Sequence, residues 1–390
     1  PQPPQADQCA GDGPSGDGME YAEDGKLVFR TGLSHAGMMV RHLTERLGWR
    51  LTTSIRAANL VTGTVMARDT NCLQPHQLTG HLFKEHSVSS KTGLVVYLRE
   101  LAAADPRVVV DFLPATYVLA QERDAAAFRA AADATLVPGA AMLAHPWLIK
   151  EPNTDGGGGI EFVATAAQLA TFLGRLDAGN GRRYIAQQYV PNLMLLRDGR
   201  KFDLRVYWMV ASIRPAVVLF HDGSVRATAA ALRLDEGGFA DPKSHMTNMG
   251  VQKGQIEADV DINTLRLSMA QLREELAYAF PGHPDPLGHV TCQMERAIAI
   301  VFEAARHDLV EGHTVTTNAF SWLGADFMID RDLRVWMSEV QTLPGPALHA
   351  KASRDVWEAM IPEGVDLILE IARRQRAGES VLPLERPWFG

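Results

Sequence analysis

The chain has 390 residues, 46% of them hydrophobic, and a formal net charge of -8. That is enough apolar material for a large core divided over two or three domains, and an acidic average gives no overall field for gathering nucleic acid. No apolar run approaches the roughly 20 residues of a membrane-spanning helix, because Arg214-Pro215 interrupts the longest candidate. The cysteines Cys9, Cys72 and Cys292 have neither metal spacing nor an even count, which argues against a disulfide framework or zinc site and fits a reducing compartment.

Residues 1–25 are rich in Pro, Gly, Gln and Asp and read as a disordered leader, since they hold too little apolar surface to repay the entropy of folding. Residues 26–29 suggest a short strand, and residues 36–47 place Met38, Met39, Leu43 and Leu47 near helical spacing before Gly48. Together they look like a small α/β unit. A helix is expected over 92–104, stopped by Asp105-Pro106, then a buried strand over 108–112 and a helix over 125–132. Strands at 147–150 and 160–163 flank a glycine loop, and a helix follows at 165–176. Beyond Tyr184 come further strands, helices over 265–280 and 295–310, a hairpin, and a final helix over 356–374. Helices and strands alternate without regular βαβ units, which favours an α+β fold.

The hairpin, residues 318–341, carries the strongest chemical signal. Two apolar runs flank the mostly charged turn 331–334, so Asp326 and Glu339, equidistant from it, are expected to face each other. Facing carboxylates repel unless a cation sits between them, and Gln341 shares the face of Glu339 because strand side chains alternate. An oxygen-only set of Asp326, Glu339 and Gln341 suits Mg²⁺. The plainer alternative is a solvated hairpin with its carboxylates pointing outward.

Three other segments bear on that choice. Lys150 ends a strand just before the run Gly156, Gly157, Gly158, Gly159 and Ile160, a pairing that suits phosphate: glycines let backbone N–H groups converge, and lysine adds a compact charge. A mobile surface loop would read the same way. In the alternating segment 201–208, Lys201, Asp203, Arg205 and Tyr207 share a polar face while Phe202, Leu204, Val206 and Trp208 turn to the core. That face looks either into water or into a cleft. Upstream, Gln187, Gln188, Tyr189 and Val190 could offer backbone hydrogen bonds to an adenine edge, or could be an ordinary strand end. Arg226 and the stretch His245-Met246-Thr247-Asn248 complete the set, with His245 read as structural.

Taken in order, these segments resemble the tubulin-tyrosine-ligase-like family of the ATP-grasp superfamily. The matching stretches are Asp111 with Phe112, Pro114, Thr116 and Tyr117, then Trp147 to Lys150 with the glycines, Lys201 to Arg205, His245 to Lys253, and Gly324 with Asp326 through Glu339. The resemblance implies an ATP-grasp fold with a small N-terminal α/β domain over 26–90, a central subdomain over 91–185 and a C-terminal subdomain with the Mg²⁺ site over 186–390. It implies an ATP- and Mg²⁺-dependent ligase joining a free amino acid to a carboxylate, on the acidic C-terminal tail of tubulin, through an acyl phosphate. Lys150 and Lys91 would hold ATP phosphates, Lys201, Asp203 and residues 187–190 the nucleoside, and Asp326, Glu339 and Gln341 the metal. Arg205 and Arg226 would bind the acyl phosphate or the incoming carboxylate, with Thr247 and Asn248 lining the same pocket.

Two departures stand out. Gln341 replaces the family's usual Asn, and Gly158 stands where relatives carry a basic residue. They keep open a catalytically impaired nucleotide- or tubulin-binding protein, and the fold leaves room for a ligase acting on another peptide. A cytoplasmic monomer is expected, free or associated with the cytoskeleton, with no nucleic acid or membrane partner.

Overall fold

The computed structural model describes residues 26–30, 35–52, 54–62, 73–82, 84–152, 154, 158–181, 183–190, 192–253, 261–311, 318–342, 344–345 and 347–384. The expected leader lies outside them. In chain order the elements are β1 (Leu27–Arg30), α1 (His35–Arg41), β2 (Arg50–Leu51), β3 (Leu60–Thr62), β4 (Leu78–Thr79), α2 (Glu85–Ser89) and α3 (Lys91–Ala104). Then follow β5 (Thr116–Val118), α4 (Glu122–Asp133), β6 (Met142–Lys150), β7 (Ile160–Thr165), α5 (Ala166–Asp177) and β8 (Ile185–Gln188). The remainder comprises β9 (Arg200–Ile213), β10 (Ala216–Ala231), α6 (Glu236–Ala240), α7 (Met249–Lys253), β11 (Arg266–Leu267), α8 (Met269–Ala279) and α9 (Pro286–Arg306). The chain closes with β12 (Asn318–Ala319), β13 (Ser321–Ile329), β14 (Val335–Thr342) and α10 (Lys351–Ala377).

The fold is α+β. Three sheets organise it, with strand orders β12-β4-β3-β1-β2, β5-β8-β6-β7 and β11-β10-β9-β13-β14. The first is parallel where paired, the other two antiparallel. The third is the spine of the molecule. Phe202, Leu204, Val206 and Trp208 turn to one side of it, against Leu272, Val290, Met294 and Ile298 of α8 and α9. Tyr207 and Met209 turn to the other, under Trp357, Ile361, Val365 and Ile368 of α10. Each such aliphatic side chain contributes about 1.5–3 kcal/mol on full burial. Since β9 is central and covered on both faces, its polar residues cannot be an exposed strand edge.

Several elements differ from the sequence reading. Residues 108–112 form no strand: Phe112 accepts one backbone hydrogen bond from Met337, and Arg296 and Arg334 bind Val109 and Asp111 instead. The apolar run is thus tied down by arginines rather than by a ladder. The helix expected over 265–280 begins only at Met269, behind a capping box of Ser268 and Gln271, because Arg266 and Leu267 pair with β10. Helix α9 begins nine residues earlier than expected, at Pro286 behind the Asp285 cap.

Candidate active site

Two antiparallel sheets face each other across a cleft of about 860 Å³, counting its open mouth. The sheet of β6, β7 and β8 supplies Leu148, Lys150, Ile160, Phe162 and Gln187, and the spine sheet supplies Lys201, Asp203, Arg226, Asp326, Met328 and Glu339. Residues on one face of a strand recur every second position, so Leu148 with Lys150, Ile160 with Phe162, and Lys201 with Asp203 all point the same way.

The hairpin β13–β14 brings Asp326 opposite Glu339, as its spacing predicts, but by an unexpected route. Ile329 pairs with Val335 and Phe327 with Met337, a register that would set Asp326 against Ser338. An irregularity at Ser338 inserts one residue and restores the match with Glu339. Arg205 on β9 lies opposite Asp326 on its other side, so Arg205, Asp326 and Glu339 form one row across three strands. A side chain at position 324 would approach the Cδ of Arg205 to 3.4 Å and Pro344 to 3.2 Å, so Gly324 leaves the arginine room to lie over the sheet toward Asp326.

Asp326 is held by two arginines. Arg205 donates from both Nε and Nη2, the latter at 3.0 Å, and Arg226 Nη2 donates at 2.6 Å. Arg226 also donates from Nε to Asp203 at 2.5 Å, and Thr247 donates its hydroxyl to the same carboxylate. Burial alone would raise the Asp326 pKa, but Arg205 and Arg226 hold it far below the usual carboxylate range. Glu339 moves the other way, raised by burial and by the adjacent Asp326 charge. Gln341 donates its amide N–H to Glu339 and does not line the cleft. Among the described residues no group of three or more His, Cys, Asp and Glu could hold a metal. Any cation here would rely on two carboxylates and one amide, an all-oxygen set whose chemistry fits Mg²⁺.

The opposite wall is cationic. Lys150 is buried and donates to the Gln187 side-chain oxygen at 2.6 Å, while Gln187 donates to Thr116 at 3.0 Å. Burial, with Lys91 and Lys201 nearby, lowers the Lys150 pKa to about 8 against the pull of Glu339 and Asp326. Lys91, at the start of α3, reaches the cleft and donates to the Thr154 carbonyl at 2.7 Å, and Thr154 donates to the Gly158 carbonyl at 2.8 Å. Lys201, on the carboxylate wall itself, is also buried, its pKa lowered by burial and by Arg226. Such a set, short of counter-charge and stripped of water, has the chemistry of a polyphosphate site.

Gln188, Tyr189 and Val190 border the cleft beyond β8. The N–H groups of Gln188 and Tyr189 already bond to Ala115 and Pro146, whereas that of Val190 has no acceptor among the described residues. Tyr189 also packs with Phe162, Phe239 and His245, and its hydroxyl lies 2.9 Å from His245 Nδ1. Burial and Lys201 lower the His245 pKa to about 4, so the ring is neutral and structural.

The structure thus gathers Lys91, Lys150, Gly158, Ile160, residues 187–190, Lys201, Asp203, Arg226, Thr247, Asn248, Asp326 and Glu339 in one cleft. Arg205 sits behind it in an adjoining pocket, Gly159 adjoins it in a left-handed turn at φ 66°, and Gly156 and Gly157 lie outside the described residues. Sequence reasoning missed Leu148, Phe162 and Met328, the apolar walls, although each sits two residues from a residue it had singled out.

The described residues thus define an α+β protein with a cleft between two antiparallel sheets, facing carboxylates and Lys201 on one wall and Lys150 on the other. The chain belongs to the tubulin-tyrosine ligase family, whose family model matches residues 69–375, and so has an ATP-grasp-like fold. It is 24% identical to the protein polyglycylase TTLL10 of Rattus norvegicus, over 92% of this chain and 55% of that protein. It is 25% identical to the inactive polyglycylase TTLL10 of Homo sapiens, over 70% and 41%, and 29% identical to the probable tubulin polyglutamylase TTLL9 of Bos taurus, over 44% and 35%. The chain spans about half the length, or less, of these curated relatives. Among the described residues no helix is long and apolar enough to cross a membrane.

Proposed function

We propose that this chain is an ATP-dependent ligase that joins a free amino acid to a carboxylate on the tail of tubulin, working as a cytoplasmic monomer. The observation that carries this reading is the pair Asp326 and Glu339, backed by Arg205, facing Lys150 across a single cleft. Lys91, Lys150 and the loop at Gly158 hold the triphosphate, the N–H of Val190 meets the adenine edge, and Lys201 with Asp203 contacts the ribose. Asp326, Glu339 and the amide oxygen of Gln341 would hold Mg²⁺, which when bound offsets charge on the phosphates.

In the reaction the acceptor carboxylate oxygen attacks the γ-phosphorus and ADP leaves. The amine then attacks the acyl carbon, phosphate leaves, and the amine proton passes to solvent or to the departing phosphate. Arg205 and Arg226, fixed in place by Asp326 and Asp203, steady the negative oxygens, so positioning supplies much of the rate. The relatives named for glycylation and glutamylation of proteins or tubulin favour glycine or glutamate as the added residue and tubulin as acceptor.

A second reading is a nucleotide-binding protein without ligation. Gln341 favours it, because its N–H group is spent on Glu339, and one related protein carries the name inactive. The test is incubation of purified protein with Mg-ATP, tubulin and glycine, glutamate or tyrosine, followed by mass spectrometry of the tails. Added mass matching one amino acid supports the ligase. ATP binding without added mass, beside an active control ligase, selects the second reading.

A further inference from the structure

Thr116 on β5 lies directly opposite Gln187 on β8, and Gln187 lies opposite Leu148 on β6. Side chains on one strand face recur every second position, so Lys150 shares the face of Leu148 and stands diagonally across from Gln187. Thr116, Gln187 and Lys150 thus form a polar line across three strands, and they are only 7%, 4% and 7% exposed. Gln187 and Lys150 line the cleft, whereas Thr116 stands one strand behind it.

Proton count gives the line a direction. The Thr116 hydroxyl carries one proton and donates it to the Pro114 carbonyl at 2.7 Å, so toward Gln187 its oxygen can only accept. Gln187 accordingly turns its amide nitrogen to Thr116, at 3.0 Å, and its oxygen to Lys150 Nζ, at 2.6 Å. That oxygen is the one hydrogen-bond acceptor of Lys150 among the described residues. The far end of the line is anchored as well. Arg99 of α3 donates to the Thr116 carbonyl at 2.6 Å and to Asp124 at 2.6 Å, and Asp124 accepts the N–H of Val118 at 2.7 Å. Strand β5 itself has no need of the hydroxyl, because valine has the same branched shape and suits a strand equally well. The hydroxyl serves the amide, which is costly to leave unpaired in a buried place.

Resting on the nucleotide site of the ligase reading above, we infer that Thr116 is a positioning residue for the phosphates. Its hydroxyl locks the Gln187 amide one way up, and that amide holds the Lys150 ammonium where phosphate arrives. Two of the three ammonium hydrogens remain for phosphate oxygens. Without the hydroxyl the amide can turn over, present its own N–H group to the lysine and drive the ammonium off its line. Adenosine, which has no phosphate, is indifferent to that change.

The test is titration of the full chain and its variants with adenosine and with a non-hydrolysable ATP analogue in Mg²⁺. Expected for Thr116→Val is at least fivefold weaker binding of the analogue with adenosine affinity kept within twofold, and Thr116→Ser should restore the analogue to within twofold of the parent. Gln187→Leu should weaken the analogue likewise, and adding Thr116→Val to it should cost less than a further twofold, because the two act as one unit. Equal loss of both ligands in Thr116→Val would overturn the inference and leave the hydroxyl a purely structural role. An unchanged analogue affinity in Thr116→Val or in Gln187→Leu would overturn it too, as would a full second loss in the double variant. Should Thr116→Val not fold, Thr116→Ala carries the same comparison, and Gln187→Leu alone can still refute it. If the parent binds the analogue and these outcomes fail, this inference falls by itself. If the parent does not bind the analogue, the nucleotide site falls and takes this inference with it.

Discussion

Arg205 and Asp326 lie opposite each other on adjacent strands and form a two-point ion pair, to which Arg226 adds a third hydrogen bond. Asp326 is therefore the shared counter-ion of two buried arginines. Asp326→Asn removes that charge and should cost about 3–5 kcal/mol of stability, because breaking a buried pair strands its partners. Arg205→Gln should cost less, since Arg226 still neutralises the carboxylate. Urea unfolding of both variants checks the order, and a larger loss for Arg205→Gln would refute it.

The two carboxylates of the hairpin should make nucleotide binding depend on magnesium. With Glu339→Gln we expect an ATP analogue to bind equally well with and without Mg²⁺, because one anionic ligand is gone. Gln341→Asn withdraws the amide from Glu339 and should strengthen Mg²⁺ binding several-fold. Calorimetric titration with the metal alone and with the metal–nucleotide complex separates the two effects.

Lys150 predicts a pH dependence. Its folded pKa of about 8 lies below the usual lysine value of 10.5. The burial penalty is therefore present in full below pH 8 and relieved as pH rises toward 10.5, where the unfolded lysine also loses its proton. The ligand-free protein should gain about 3 kcal/mol from this residue across that window. Nucleotide affinity should fall over the same range, as the ammonium proposed to meet phosphate is lost. Lys150→Met should abolish the gain, seen by unfolding at pH 7.5 and pH 10, and should also weaken ATP binding.

Phe162, Leu148 and Met328 line the cleft and, on the proposed reading, would give the base an apolar berth. Phe162→Ala should weaken adenosine and ATP by a similar factor of roughly ten, within the range of base stacking on an aromatic ring. Lys150→Met should weaken ATP alone. Competition by adenosine against a fluorescent ATP analogue measures both, and a Phe162→Ala effect confined to ATP would show that the base sits elsewhere.

Much of the candidate site follows from local pattern. Strand alternation alone places Lys201, Asp203 and Arg205 on one face, and the turn at 331–334 brings Asp326 near Glu339. The same alternation held the apolar walls, since Leu148 and Phe162 are two positions from Lys150 and Ile160.

What the sequence by itself determined is therefore the periodic part: an α+β chain, which side chains share a face, and the family to which that order of motifs belongs. Only the tertiary structure decided which distant strands pair. Residues 318–319 join β4 in the N-terminal sheet, residues 108–112 are held by arginines rather than a ladder, and Arg266 is set against Arg226 by the β10–β11 pairing. The extra residue at Ser338 and the turn of Gln341 onto Glu339 belong to the same class. The physical reason is range. A strand period is a property of consecutive residues, whereas register and ion pairing depend on which surfaces the remainder of the chain must bury.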